Sequence, residues 1–187
     1  MMHTFSTERL LIRPLIADDE MFFCQLYTNN KVMRHTGGAI KLEKAQASFK
    51  HCLRANQYEE HGKAKTVLTW AIVCGNKGNI LGLQTLAFIT RPYNETIINT
   101  EKKVGIKQTE IGIMLAREAN GKKIPEEAMQ ALIGYAFDAL ELDRIHAFYN
   151  RKNFATKRFV DKLGFSTAKF IVQHNKQDIA HQYLDQF

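Results

Sequence analysis

Residues 108–124 read QTEIGIMLAREANGKKI, and this stretch decides the fold. Gln108 to Ala116 is a β-forming run that predicts a strand. Arg117 to Lys123 is a polar loop holding Gly121. From Ile124 the apolar residues Ala128, Ala131, Leu132, Tyr135, Ala136, Ala139 and Leu140 keep a helical period to about Glu141. Pro125 falls in the first turn of that helix, which accepts it. Arg144 to Asn150 is again a strand. Strand, helix and strand over residues 108–150 predict a right-handed parallel crossover inside a mixed sheet.

Working towards the C-terminus, Phe154 to Leu163 predicts a short helix closed by Gly164 in a left-handed cap. Thr167 to Gln173 and Ile179 to Leu184 suit a final hairpin. Towards the N-terminus, Thr66 to Cys74, the turn residues 75–79 and Ile80 to Thr90 form a hairpin. Residues 91–105 suit an irregular loop between strands. Lys41 to His61 predicts a helix with Leu42, Ala45, Phe49, Cys52 and Leu53 on one face. Glu8 to Leu15 predicts a first strand, followed by a helix from Ala17 to about Thr28. The fold class expected is α/β (α+β), with a mixed, mostly antiparallel sheet of about six to seven strands and helices on both faces.

Length and composition exclude other classes. The chain has 187 residues, 45% of them hydrophobic and 24% charged, with 11 Gly and 3 Pro. This is neither a collagen-like nor a disordered composition, and it predicts one domain over residues 1–187. The polar segment Met1 to Glu8 does not read as a signal peptide, and no run approaches the ~18 apolar residues of a membrane span. Cys24, Cys52 and Cys74 lack CxxC spacing and read as buried thiols in a cytoplasmic setting. The seven histidines lack metal-ligand spacing, so no metal is expected. Asp18, Asp19 and Glu20 read as solvated helix charges, as do Glu59 and Glu60. Trp70 reads as core.

The net charge of +7 suits a polyanionic partner. No RNP-like or helix-turn-helix pattern supports nucleic-acid binding, although a basic RNA- or ribosome-binding module is the alternative from another class. The loop from Arg117 to Lys123 reads either as a plain strand-to-helix connection or as an anion site. A strand-to-helix turn aims unpaired N–H groups and a helix dipole at one point, Gly121 admits close approach, and Lys122 and Lys123 add charge. Asn153 opens the next helix either as its N-cap or as part of a second helix start converging on the same ligand.

At Gly121, Glu127-Ala128, Tyr135 with Phe137, Arg144-Ile145 with Ala147, Asn153 with Thr156, and Leu163-Gly164-Phe165, the chain resembles the GNAT N-acetyltransferases of RimJ/RimL type. The opening Thr7-Glu8-Arg9-Leu10-Leu11-Ile12-Arg13-Pro14-Leu15 is similar to that of the same group. The resemblance implies acetyl-coenzyme A as co-substrate. It places the pyrophosphate on the backbone near Arg117, Asn120, Gly121, Lys122, Lys123 and Ile124. It places the pantetheine arm between the strand through Met114, Leu115 and Ala116 and the strand starting at Arg144, with Asn153 and Thr156 nearby. Lys123 stands where the family has its second glycine. Val160 stands where many relatives have a tyrosine acid, so the resemblance leaves Thr156 to hydrogen-bond the thiol sulfur.

Acetyl transfer needs a neutral amine. At pH 7.5 an α-amino group is roughly one-third neutral and a lysine only about 0.1% neutral. Glu110 reads either as an exposed strand residue or as the best-placed carboxylate to act as base, directly or through water, and strand alternation puts it on one side with Gly112, Met114 and Ala116. A backbone N–H near Met114 is the expected oxyanion donor. The acceptor expected is a primary amine, foremost a protein N-terminus of ribosomal-protein type, with a polyamine or aminoglycoside as the alternative. The assembly expected is a monomer or a homodimer.

Overall fold

The computed structural model describes residues 3–58, 67–89, 107–119, 121–167, 172–174 and 177–186. The expected loop 91–105, the end of the helix expected to His61, Glu59, Glu60 and Asn120 lie outside them. Nine described strands form one sheet: β1 (Phe5–Ser6), β2 (Leu10–Pro14), β3 (Val67–Cys74), β4 (Ile80–Phe88), β5 (Gln108–Leu115), β6 (Arg144–Asn150), β7 (Ser166–Thr167), β8 (Val172–His174) and β9 (Gln177–Asp185). Their order is β1-β2-β3-β4-β5-β6-β9-β7, with β8 on β9. The expected six to seven strands are exceeded because β1 and β7 are two residues long and carry no periodic signal. The helices are α1 (Glu20–Tyr27), α2 (Asn30–Met33), α3 (Leu42–Tyr58), α4 (Ile124–Asp138) and α5 (Phe154–Lys162).

All pairings are antiparallel except β5 with β6, the expected parallel crossover around α4. Residue alternation splits the sheet into two faces. Odd positions of β5 and β6, such as Ile111, Ile145, Ala147 and Tyr149, pack with Ala128, Leu132 and Ala136 of α4 and Val160 of α5. Met114 and Ala116 pack on the other face with Phe23, Leu26 and Phe49 of α1 and α3. Trp70 is fully buried on the α4 face, and its Nε1 donates to His3 O at 2.8 Å.

Helix ends differ from their expected places for local reasons. α4 stops at Asp138, three residues early; Ala139 and Leu140 make a turn, and Glu141 is left-handed at φ 51°. Gly164 closes α5 as expected, at φ 86°, with Phe165 N donating to Val160 O. The helix expected from Ala17 opens as a 3₁₀ turn over Ala17–Asp19.

Asp19 is not a solvated charge. It is 1% exposed and takes a bidentate pair from Arg13 (Nη1 at 2.7 Å, Nη2 at 2.9 Å) plus Ile16 N–H at 2.9 Å. This ties the end of β2 to the start of α1. Of the thiols only Cys24 is fully buried; Cys52 and Cys74 are half-buried. Burial raises the pKa of Cys24 and of Cys52, so neither is an activated nucleophile. No helix among the described residues is long and apolar enough to cross a membrane.

Candidate active site

The β5–β6 ladder runs only through Gln108–Arg144, Thr109–Ile145 and Glu110–His146. Beyond Glu110 the two strands continue, to Leu115 and Asn150, without pairing among the described residues. The parting that a pantetheine arm between these two strands requires is therefore present, and it starts at Glu110.

The β4–β5 register shows which groups face the gap. Gln108 O accepts from Ile89 N, and Ala116 N donates to Leu81 O, so even-numbered residues bond towards β4. Ile111, Ile113 and Leu115 therefore turn their N–H and C=O into the gap. The donor expected near Met114 is narrowed accordingly: Met114 N–H faces β4, and its neighbours Ile113 and Leu115 carry the amides that face the opening. Even spacing of side chains was legible in the sequence, but the direction of the backbone needs the neighbouring strand.

A cleft of about 1300 Å³ occupies this gap. Glu110, Met114, Leu115, Arg117, Asn153 and Thr156 all line it, with Tyr149, Asn150 and Val160 on the β6–α5 side. Ala116 lines a smaller neighbouring hollow with Asn29 and Glu118. Gly121, Lys122, Lys123 and Ile124 form the turn leading to Pro125 and Glu126, which reach the cleft. Gly121 has φ 79° with nothing near its missing Cβ, so the backbone there is bare. Lys123 is left-handed at φ 57°, a conformation that costs a non-glycine residue about 1–2 kcal/mol. Its side chain is exposed and does not line the cleft.

The turn is anchored by contacts that sequence reasoning missed. Arg9 Nη1 donates to Lys122 O at 3.1 Å, and Arg9 Nε donates to Glu127 Oε2 at 2.6 Å. Thr7 Oγ1 also donates to Glu127. Burial raises the Glu127 carboxyl, but the bonds from Thr7 and Arg9 outweigh it and the pKa is lowered overall. The Thr7–Arg9 opening and Glu127, 118 residues apart at Arg9, are thus two halves of one clamp on the start of α4.

Asn153 is the N-cap of α5: its Oδ1 accepts from Thr156 N at 3.2 Å. It also lines the cleft. Val160 is buried and has no proton to donate. The Glu110 carboxylate receives no hydrogen bond from the described residues, and burial raises its pKa. A carboxylate with a raised pKa is a stronger base.

These features fit coenzyme A: a strand edge with open amides for the pantetheine, a bare-backbone turn at a helix start for phosphate, and a cleft larger than drug-sized pockets. The comparisons agree. The profile of the Acetyltransferase (GNAT) domain matches residues 9–166. The chain belongs to the GNAT acetyltransferase family. It is 26% identical over 175 residues (94% of this chain, 89% of the relative) to the uncharacterized N-acetyltransferase p20 of Bacillus licheniformis. In fold it is similar to ribosomal-protein-S5-alanine acetyltransferase from Vibrio fischeri, with TM-score 0.74, 18% identity and coverage of 97% and 96%. It is also similar to spermidine N-acetyltransferase from Vibrio cholerae, solved with coenzyme A and spermine, with TM-score 0.66, 18% identity and coverage of 96% and 97%.

As a GNAT enzyme the protein transfers an acetyl group from acetyl-coenzyme A to an amine. Among the described residues no group of three potential metal ligands occurs.

Beside Glu110, the GNAT sheet carries a buried pair of histidines. His146 Nδ1 lies 2.8 Å from His181 Nε2, and His146 Nε2 lies 2.7 Å from Gln108 Oε1. The rings stack with Phe148, which lines the cleft. Neutral rings satisfy both bonds. Burial, then His181 and Arg144, pushes His146 down to about 3; burial and Arg144 push His181 down to about 4. A depressed histidine binds fewer protons folded than unfolded, so stability falls as pH drops below the unfolded value near 6.5. The slope should be up to about 1.4 kcal/mol per pH unit for each histidine between pH 6.5 and about 4. Urea midpoints at pH 7.5 and 5.5 check this. His181→Phe should flatten the difference, and an unchanged difference in that variant would place its source elsewhere.

Proposed function

We propose that this enzyme acetylates a protein N-terminal α-amine, in the manner of the RimJ/RimL type, by direct attack within a ternary complex. The observation that carries the reading is the parting of β5 and β6 at Glu110, the carboxylate whose burial raises its pKa. Glu110 accepts the proton of the incoming amine, directly or through one water. The amine nitrogen then bonds to the thioester carbonyl carbon. Ile113 or Leu115 N–H donates to the carbonyl oxygen as it gains charge. The C–S bond breaks and the sulfur leaves as thiolate, to which Thr156 Oγ1 donates and which takes up the second proton shed by the nitrogen as it becomes an amide. The turn from Arg117 to Ile124 holds the pyrophosphate, with Asn153 beside the pantetheine.

An α-amine suits a single unassisted carboxylate, because a third of it is already neutral near pH 7.5. A lysine would have to be deprotonated against about three pKa units. A panel of N-terminal peptides, lysine peptides and polyamines, read by thiol release, tests the reading. Fastest turnover on a polyamine or a lysine side chain would refute it.

Thr156 gives a sharper test. Asn153 already caps the helix through Thr156 N–H, so the Thr156 hydroxyl is not part of the cap. Thr156→Ala should lower kcat about ten- to a hundredfold, the worth of one hydrogen bond to a charged group, with acetyl-coenzyme A affinity and Tm nearly unchanged. Thr156→Ser should keep most activity. A lowered Tm with intact kcat per folded molecule would remove Thr156 from the chemistry.

A further inference from the structure

The segment after α1 forms the lip of the cleft opposite β6. Asn29 Oδ1 accepts from Lys31 N at 2.9 Å and Val32 N at 3.3 Å, which starts α2 and sets its orientation. Val32 packs against the same buried cluster as Met114 and Ala116, so α2 lies on the sheet face that Glu110 shares with Met114. The phosphate-binding turn enters α4, on the opposite face. The amine that Glu110 deprotonates thus arrives past α2, not past α4.

What α2 and the turn after it show to that path is positive. Lys31, Arg34 and His35 all line the cleft, Lys31 and Arg34 exposed and His35 half-buried. Among the described residues none of the three has a carboxylate partner. Among the described residues the carboxylates lining the cleft are Glu110, where the amine must sit, and Glu126, in the first turn of α4. A polycationic acceptor would meet the positive charges of Lys31 and Arg34 on its way to Glu110.

We infer that the acceptor carries negative charge within a few bonds of its reacting amine, and that Lys31 and Arg34 bind that charge: an acidic N-terminal peptide rather than a basic peptide or a polyamine. The inference deepens the proposed α-amine reading and rests on it for the peptide form of the acceptor. The charge preference itself can also be read on small amines.

The test compares the pentapeptide amides Ala-Asp-Asp-Gly-Tyr, Ala-Asn-Asn-Gly-Tyr and Ala-Lys-Lys-Gly-Tyr, with aspartate, asparagine and spermidine as small acceptors. Wild-type enzyme should favour the acidic peptide over the neutral one by about five- to tenfold in kcat/KM at low salt, as two partly exposed ion pairs would give. The advantage should shrink as ionic strength rises. The double variant Lys31→Glu/Arg34→Glu should invert the order of acidic and basic peptides, while the melting shift produced by coenzyme A alone stays as in wild type. If the double variant instead loses the coenzyme A shift, the lip binds cofactor phosphate and the inference fails. Equal use of the three peptides, or spermidine as the best acceptor, also overturns it. If no peptide reacts but aspartate outpaces asparagine, the α-amine protein reading fails while the charge preference stands.

Discussion

Glu110→Gln should lower kcat by about 10²–10⁴, the range that one positioned base contributes, with the lower end expected for an α-amine that is already partly neutral. The substitution keeps shape and removes only the proton-accepting charge. Its effect on stability should have the opposite sign. Burial raises the folded pKa of Glu110, so the carboxylate costs stability at pH values above that pKa and the cost disappears below the unfolded value. A neutral amide avoids the cost at pH 7.5. The expected pair of results is therefore a large fall in kcat with an equal or higher Tm, and loss of the acidic limb that Glu110 contributes to the kcat/KM profile. A fall in Tm with unchanged kcat would make Glu110 an ordinary strand residue and leave the amine to be deprotonated by another group.

The legible part of the fold was the part written in long periodic runs. The Gln108–Asn150 crossover, the β3–β4 hairpin and the capped α5 follow from strand and helix periods with Gly and Pro punctuation, and all are present. What escaped was of two kinds. Short elements such as β1, β7 and α2 are fixed by their partners rather than by any pattern of their own; Asn29 alone signals α2. Long-range polar pairs were the other kind. Nothing near Asp19 in sequence separates it from Asp18, yet one is buried on Arg13 and the other is exposed. The cleft residues were legible because motif positions cluster at strand ends and helix starts. The cationic lip was not, because Lys31, Arg34 and His35 acquire meaning only when α2 is seen to share a face with Glu110.

Asp19→Ala should destabilise the enzyme by about 3–5 kcal/mol, the usual cost of removing one partner from a buried ion pair. Arg13, whose side chain is 18% exposed, would keep its charge without the bidentate acceptor, and Ile16 N–H would lose its bond as well. At about 2–4 °C per kcal/mol for a chain of this size, Tm should fall by roughly 6–20 °C. Asp19→Asn should fall between Ala and wild type, because one amide oxygen can still accept but the charge is gone. Arg13→Met with Asp19→Leu removes both charges and should recover much of the loss, since an apolar pair of similar volume leaves no buried charge uncompensated. The same cycle reaches the site. Asp19 joins β2 to α1, and α1 carries α2 to the cleft, so Asp19→Ala assayed well below its Tm should raise the acceptor KM more than the KM for acetyl-coenzyme A. Equal changes in both would mean that the pair holds the whole sheet rather than the acceptor lip.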